Sequence, residues 1–461
     1  MVPIPSDEKT ENTKDRPTEV CEDEPADHVL EVLHSPNEKP EKQNKLTNQE
    51  TEHLVPTKWD EVQFSFPQPR VKFGKGMLEE LPKAIFSLLD PMLMHIKKAA
   101  IEQPKLLIVI GGKSLKSSGA LDRLLAACER NAIVTLIYSC GSGEATIDMV
   151  NEGVQIALDE KPHYIAGIGG GSVIDVAKAI AGIATNGGLV EDYYEGKPFE
   201  LPGIPLIAVP TTAGTGSEIT NNAVLIDKVN GFKKSIRGNQ LIAKFILLDP
   251  ELTLSCPPDI SASSGADAFV QAIEAYVSKF SHPLADIYAM EAIVLISRNL
   301  KKVFENGQDF AARAEMLLGS YYAGVAFSNV NLGLVHGLAH PIGVKYDIPH
   351  GRICGALLPW VIDYNLEWQA KKYANIAKVL SQLDLFNKYE PEGTDYENAR
   401  RLTGMIKEIF SQVQIPLRLQ DIGVLKEDFE WIITQTKGRS VNANPRPIDP
   451  ESLRQLLDKA W

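Results

Sequence analysis

Residues 164–184 read YIAGIGGGSVIDVAKAIAGIA. The stretch opens as a short apolar run that closes on glycines, which is typical of a buried parallel strand entering a tight turn. From Val173 onward it has the apolar spacing of a helix. A strand that passes through a glycine turn into a helix is the repeating unit of an α/β fold.

The turn itself is Gly169, Gly170, Gly171 and Ser172. Glycines let backbone N–H groups approach a pyrophosphate closely, and the start of a helix adds partial positive charge. The turn is therefore a candidate phosphate site, with an ordinary tight turn as the alternative. Asp175, in the first turn of the helix, could cap backbone N–H groups or contact a nucleotide.

The first half of the chain repeats this pattern. Further strands are predicted at 105–112, 133–138, 204–210 and 245–250, and helices near 118–130 and 145–158. We therefore expect a parallel, doubly wound sheet, with a hairpin turning at Asn230-Gly231 between its last two strands.

After Cys256 the pattern is helical almost throughout. We predict an α/β dinucleotide-binding domain at 61–255 and a helical domain at 256–461, with a ligand cleft between them. The predicted helices are 260–279, 283–304, 309–327, 331–344, 353–367, 369–383, 395–413, 425–436 and 450–459.

A second loop, PTTAGTGSE (210–218), leaves another predicted strand. Its hydroxyl groups suit the sugar and phosphates of a nucleotide. Two such loops on neighbouring strands indicate a dinucleotide site more strongly than either alone. The hydroxyls belong to Thr211, Thr212, Thr215 and Ser217.

Three of the nine histidines fall within fifteen residues: His336, His340 and His350. His336 and His340 are four apart and would share one face of a helix, whereas His350 is expected in a rigid turn. Asp267 and Gln271 are also four apart. Asp267, His336 and His350 would form a ligand set for Fe²⁺ or Zn²⁺ with an open position. The alternative is a helix with two surface histidines and an unrelated third.

Much of the net charge of −13 comes from the first 55 residues, which hold fourteen acidic and six basic residues and no Phe, Tyr or Trp. Such a segment buries too little apolar surface to order, so residues 1–60 are predicted to be a disordered acidic tail. The remaining chain carries no basic stripe, which argues against nucleic acid as a partner.

The first twenty residues lack an apolar region, and no apolar run reaches the length of a membrane span. Five scattered cysteines form no CxxC pair. We therefore expect a cytoplasmic protein with buried structural thiols and no membrane partner.

Four motifs together resemble the iron-containing (group III) alcohol dehydrogenase family. They are GIGGGSVIDVAK, IAVPTTAGTGSE, GADAFVQAIEAYVS and GLVHGLAHPIGVKYDIPHG, and the match runs from about Val71 to the C-terminus. The resemblance implies a dehydroquinate synthase-like fold, a divalent metal (Fe²⁺ or Zn²⁺), a nicotinamide cofactor, a small alcohol or aldehyde as substrate, and a dimer. It also implies that Asp267, His336 and His350 bind the metal and that His340 lies beside the nicotinamide, relaying a proton or positioning substrate.

Two departures from the family matter. The usual second metal ligand, a histidine, is here Gln271, so metal binding is expected to survive in weakened or retuned form. At the end of the first strand, Gly112, Lys113 and Ser114 replace the aspartate of many NAD-preferring members. This turn is similar to that of NADPH-using butanol-dehydrogenase-like members, so we expect NADP(H) to be preferred. A plain strand-to-helix turn with solvated lysines is the alternative.

Two other functions stay open. A nucleotide-binding protein without turnover would follow if Gln271 marks the loss of the metal. A sugar-phosphate lyase or synthase such as dehydroquinate synthase shares the fold, but it needs several basic residues near the metal, and residues 336–352 offer only Lys345 and Arg352.

Overall fold

The computed structural model describes residues 69–88, 103–383, 386 and 392–461. The acidic tail predicted at 1–60 lies outside them. In chain order the strands are β1 (Arg70–Phe73), β2 (Lys105–Ile110), β3 (Val134–Ser139), β4 (Tyr164–Gly169), β5 (Leu206–Pro210), β6 (Asn222–Asp227), β7 (Phe232–Arg237) and β8 (Phe245–Leu248).

Six of these strands form one sheet in the order β1-β8-β5-β4-β2-β3, and all neighbours are parallel. Each residue of β4 is buried, as its apolar sequence predicts for a central strand covered on both faces. The helices of this half are α1 (Leu81–Leu88), α2 (Ser114–Ser117), α3 (Ala120–Arg130), α4 (Ile147–Glu160), α5 (Gly171–Asn186) and α6 (Val190–Tyr194). The predicted parallel α/β sheet is thus confirmed.

The remaining two strands form the predicted hairpin. β6 and β7 pair antiparallel, and Gly231 in their turn has a φ of 68°, a left-handed conformation that glycine adopts without strain. Asp227 supports the turn by accepting hydrogen bonds from the backbone N–H groups of Val229 and Asn230. The hairpin is separate from the main sheet, and its β7 contacts the helical half of the chain.

Beyond Pro258 the described chain is helical. Its helices pack around a core of their own, in which Phe269 and Phe410 meet edge to face at 6.0 Å. They are α7 (Pro258–Val277), α8 (Pro283–Glu305), α9 (Phe310–Val330), α10 (Leu334–Tyr346), α11 (His350–Ser381), α12 (Asp395–Gln412), α13 (Phe429–Gln435), α14 (Arg439–Ala443) and α15 (Pro450–Ala460). No described helix is long and apolar enough to cross a membrane. The division into domains at 61–255 and 256–461 stays a prediction.

Several details differ from the sequence-based expectation. β1 was not predicted, because its four residues, RVKF, are too short and too charged to stand out; pairing with β8 makes them a strand. The division predicted between the helices 353–367 and 369–383 is confirmed by a kink at Gln369, whose non-helical backbone separates the two parts of α11. The turn expected at His350 is wrong, since His350 is the first residue of α11.

Candidate active site

A cavity of about 240 Å³ lies between the carboxyl edge of the sheet and the helical half. It brings together predicted residues from both halves of the chain. From the α/β half these are Gly171, Ser172, Asp175, Thr215 and Ser217, and from the helical half Asp267, Gln271, His336, His340 and His350.

The cavity is lined on the helical side by a candidate metal site. Ligand atoms of Asp267, His336, His350 and Cys354 all lie within 4.8 Å of one another. Nε2 of His336 is 3.3 Å from Oδ1 of Asp267, and Nε2 of His350 is 3.9 Å from the same oxygen and 3.5 Å from Sγ of Cys354. Ligands of a tetrahedral zinc ion lie about 3.3–3.7 Å apart. The spacing of the four side chains therefore suits one ion.

Three helices bring these ligands together. Asp267 lies on α7, His336 on α10, and His350 and Cys354 one turn apart on α11. Gly351 allows the close approach of α11 to α7, because a Cβ atom at this position would lie only 1.8 Å from the carbonyl oxygen of Ser263. A larger residue at 351 would push His350 away from Asp267.

Gln271 lies beside Asp267 rather than apart from it. Its Nε2 donates to Oδ2 of Asp267 at 3.0 Å and to the carbonyl oxygen of Thr215 at 3.4 Å. Its Oε1 is buried and has no hydrogen-bond partner among the described residues. A buried, unpaired carbonyl oxygen is costly unless a donor or cation meets it, so Oε1 is an available ligand atom next to the site.

Glu274 orients His336 from behind. Its Oε2 lies 2.6 Å from Nδ1 of His336, and its carboxylate accepts hydrogen bonds from the backbone N–H groups of Gly333 and Val335. A carboxylate bonded to one ring nitrogen leaves the other free for a metal. Burial opposes a charge on His336, but Glu274 and Asp267 outweigh it and raise the pKa of His336 to about 9.

The other two histidines, His340 and His350, lie in a different electrostatic environment. Burial, helped by the positive charge of Lys233, lowers the pKa of His340 to about 3 and holds that of His350 well below its usual value. Both rings are therefore neutral at physiological pH, and they stack with 5.3 Å between their centroids. Nδ1 of His340 is buried without a hydrogen-bond partner among the described residues.

The glycine turn forms the opposite side of the cavity. Gly170 caps α5 without a side-chain hydrogen bond, so the backbone N–H groups of Gly171 and Ser172 are open to an acceptor from outside the described residues. Gly171 packs so closely on Thr215 that a Cβ atom would lie 2.4 Å from Oγ1 of that residue. The two predicted loops thus meet at the start of α5.

Asp175 is held in a polar network. It accepts hydrogen bonds from Oγ of Ser217 and from the backbone N–H of Val224. Lys178, without any exposed surface, lies 3.5 Å from Asp175 and donates to Ser217, Thr220 and the carbonyl oxygen of Asn222. The network ties α5 to the second loop and to the hairpin.

Other predicted cofactor residues lie away from the cavity lining. Gly169 and Gly170 lie just behind the start of α5, where the backbone N–H of Thr211 donates to the carbonyl oxygen of Gly169 and Thr212 packs beside Gly170. The exposed residues Gly112, Lys113 and Ser114 follow β2 at the same edge of the sheet. Their roles in cofactor binding stay predictions.

Two residues of the site were missed from the sequence. Cys354 was assigned to the buried structural thiols, yet it lies four residues after His350 on the same helix face. Glu274 follows Asp267 and Gln271 at helical spacing, so the same periodicity could have found it.

Comparison with known proteins agrees with the geometry. Residues 68–250 match the iron-containing alcohol dehydrogenase family, and residues 261–461 match the C-terminal region of the same family. The chain belongs to the iron-containing alcohol dehydrogenase family.

Individual relatives are similar over most of their length. The chain is 34% identical over 361 residues to lactaldehyde reductase of Escherichia coli (strain K12), covering 77% of this chain and 91% of the relative. It is 28% identical over 406 residues to the NADPH-dependent butanol dehydrogenase of Clostridium saccharobutylicum, covering 86% and 97%. The crystal structure of a 1,3-propanediol oxidoreductase superposes with a TM-score of 0.79 at 30% identity, covering 87% of this chain and all of the other.

Proposed function

We propose that this protein is a metal-dependent alcohol dehydrogenase or aldehyde reductase that transfers a hydride between NAD(P)H and a small carbonyl or alcohol substrate. One observation carries the proposal: Asp267, His336 and His350, which could hold a metal ion, line one cavity with the uncapped start of helix α5. A metal and a dinucleotide bound at these two places would both face a substrate in the cavity.

The residues present fit a divalent metal. Asp267, His336 and His350 offer a carboxylate and two imidazoles, and Cys354 offers a sulfur from the buried side. The unpartnered Oε1 of Gln271 is a further oxygen at the site. A sulfur ligand favours zinc over harder ions, while imidazole and carboxylate suit iron as well.

When bound, the metal would polarise the carbonyl oxygen of the substrate, and the nicotinamide would supply or accept the hydride. The chain itself supplies the orientation. Glu274 fixes the ring of His336, and Gln271 fixes the carboxylate of Asp267. Both contacts reduce the reorganisation needed when charge develops on the substrate oxygen.

His340 is better suited to positioning the substrate than to acting as a general acid or base. Its lowered pKa of about 3 means that its ring carries no extra proton at neutral pH. A group whose pKa lies far from the working pH is a weak general acid or base. As a neutral ring on the cavity wall, it can hold a hydrogen bond to the substrate oxygen or to a water that carries the proton.

For the cofactor, we propose that NADP(H) is preferred over NAD(H). Gly112, Lys113 and Ser114 present two donors and no carboxylate at the end of β2, where a ribose 2′-phosphate would lie in this kind of fold. The similarity to a butanol dehydrogenase named as NADPH-dependent supports the proposal. We also propose that the enzyme is dimeric and cytoplasmic. The four described cysteines form no disulfide, which is consistent with a reducing compartment.

The test combines metal analysis with a cofactor-linked assay. Protein purified without added metal is analysed for bound iron and zinc, and a panel of aldehydes is assayed with NADPH after each metal is restored. We expect metal-dependent oxidation of NADPH, and His350→Ala should lose metal and activity together. Cofactor binding without turnover of any aldehyde would instead favour a protein that only binds nucleotide.

A further inference from the structure

Apart from its histidines, the cavity is lined by three acidic and three basic side chains, but two of the acids have other partners. Its charged lining residues, apart from the histidines, are Glu144, Asp175, Lys233, Arg237, Asp267 and Arg439. Lys233 pairs with Glu144 at 2.8 Å, Asp175 belongs to the network around Lys178, and Asp267 belongs to the metal site. Two cations are left over.

These cations are Arg237 and Arg439. Within the described part of the chain, neither side chain has a hydrogen bond or an ion pair. Desolvation and the positive charge of Arg439 lower the pKa of Arg237 to about 10, although the negative charge of Asp175 opposes them. Both residues keep exposed surface, so water reaches them, and an anion between the two guanidinium groups would relieve their mutual repulsion.

Their positions relate them to the reacting centre. Arg237 ends β7, which contacts α10, and it lines the same cavity as His340. Arg439 begins α14, which packs on α10, the helix that carries His336 and His340; there a Cβ atom at Gly337 would lie only 2.7 Å from Val441. The arginines therefore approach one end of the cavity from the hairpin and from the helical half.

We propose that Arg237 and Arg439 form a binding subsite for an anionic group on the substrate, so that the preferred substrates are short aldehydes bearing a carboxylate or sulfonate. This rests on the proposed function of the cavity. Guanidinium groups bind such planar or trigonal oxygen groups through paired hydrogen bonds. With the anion held at the arginines, the carbonyl at the other end of a short chain would point towards the metal site.

The phosphates of the cofactor are the other possible source of an anion. We expect the pyrophosphate at the uncapped start of α5, on the sheet side of the cavity. Arg439, in contrast, lies on the helical side, on the wall that carries the histidines. A substrate anion therefore fits this subsite better, and the experiment separates the two sources.

The test compares succinic semialdehyde with butanal, a neutral aldehyde of the same chain length, in the metal-loaded enzyme. We expect a higher kcat/KM for succinic semialdehyde. In Arg237→Gln and Arg439→Gln the ratio of the two kcat/KM values should fall by roughly 10- to 100-fold. Arg130→Gln, which removes an exposed arginine at the end of α3, is the matched control and should keep the ratio.

Three results would overturn the proposal. The wild-type enzyme could prefer butanal. The ratio of kcat/KM for succinic semialdehyde to that for butanal could also be the same in both arginine variants as in Arg130→Gln. Alternatively, the variants could weaken NADPH binding, measured by fluorescence titration, and leave the ratio unchanged, which would assign the arginines to the cofactor.

A binding measurement keeps this inference separate from the proposed function. Butyrate binding to the enzyme–cofactor complex is followed by calorimetry, without any turnover. Binding that is lost in both arginine variants but kept in Arg130→Gln supports the subsite even if no aldehyde is reduced. Equal butyrate affinity in all variants contradicts the subsite, whatever the enzyme's activity.

Discussion

Oε2 of Glu274 lies 2.6 Å from Nδ1 of His336, and both side chains are almost completely buried. The same carboxylate accepts two backbone N–H groups at the start of α10. One residue of α7 thus fixes both the helix that carries His336 and the orientation of its ring.

We expect Glu274→Gln to weaken metal binding by about 10- to 100-fold, since an amide fills the same space but carries no charge to support the ring. The dissociation constant for zinc, measured by competition with a chromophoric chelator, checks this. Glu291→Gln, on an exposed position of α8, should bind zinc as the wild type does. Equal affinities in both variants would contradict the role of Glu274.

Gln271→His should strengthen metal binding, because imidazole is a better ligand for iron and zinc than an amide oxygen. We expect roughly a tenfold lower dissociation constant and more iron retained through dialysis. Gln155→His, on the exposed surface of α4, serves as control. A Gln271→His protein that retains less metal than the wild type would show that the bond from Gln271 to Asp267 matters more than an added ligand.

Cys354→Ser should remove the sulfur ligand and leave the three other ligand groups in place. In cobalt-substituted protein, a thiolate ligand gives a charge-transfer absorption in the near ultraviolet, which we expect in the wild type and not in the variant. Cys140→Ser is the matched control, since Cys140 is buried and bonded to the carbonyl oxygen of Ile110. An unchanged spectrum in Cys354→Ser would place the thiol outside the coordination sphere.

Gly112→Asp should shift the cofactor preference towards NADH by about 10- to 100-fold in kcat/KM, because a carboxylate there accepts ribose hydroxyls and repels a 2′-phosphate. The position has room for a side chain, since a Cβ atom at residue 112 would lie 3.8 Å from Cβ of Ser142, an ordinary van der Waals contact. Ser118→Asp adds the same charge nearby, beyond the end of α2, and should leave the preference as it was. If wild-type enzyme already favours NADH, the proposed NADP(H) preference is wrong.

Glu218 gives a pH dependence of stability. Burial raises its pKa from 4.5 to about 7, so the folded protein keeps a proton that the unfolded chain releases at lower pH. The contribution of Glu218 to the free energy of unfolding is therefore fully present below pH 4.5. It is lost as the pH rises to about 7, and the loss is about 3 kcal/mol. Urea unfolding across this range should show Glu218→Gln losing less stability than the wild type or than the exposed-site variant Glu129→Gln. If the free energy of unfolding fell equally with pH in all three proteins, the assigned role of Glu218 would be wrong.

Periodicity and glycine turns were sufficient to predict the sheet, the hairpin and most helices, because these signals are local. The approach of α11 to α7 is not local. It depends on contact between Gly351 and the backbone of Ser263, which is far earlier in the chain. Asp267, His336 and His350 were predicted as a set from their chemistry and from the family motifs, whereas the turn expected at His350 hid the helix that places Cys354 beside them. The sequence also could not show that Arg237 and Arg439 lack partners, because this requires the contacts of all the other charged residues of the cavity.

Lys178 has no exposed surface, and its ammonium group is bonded at once to the second glycine loop and to the first residue of the hairpin. Moving either element alone would take hydrogen-bond acceptors away from a buried ammonium group, which is unfavourable. We therefore expect the second loop and the hairpin to move together, rather than as separate flaps, when a large ligand enters or leaves the cavity.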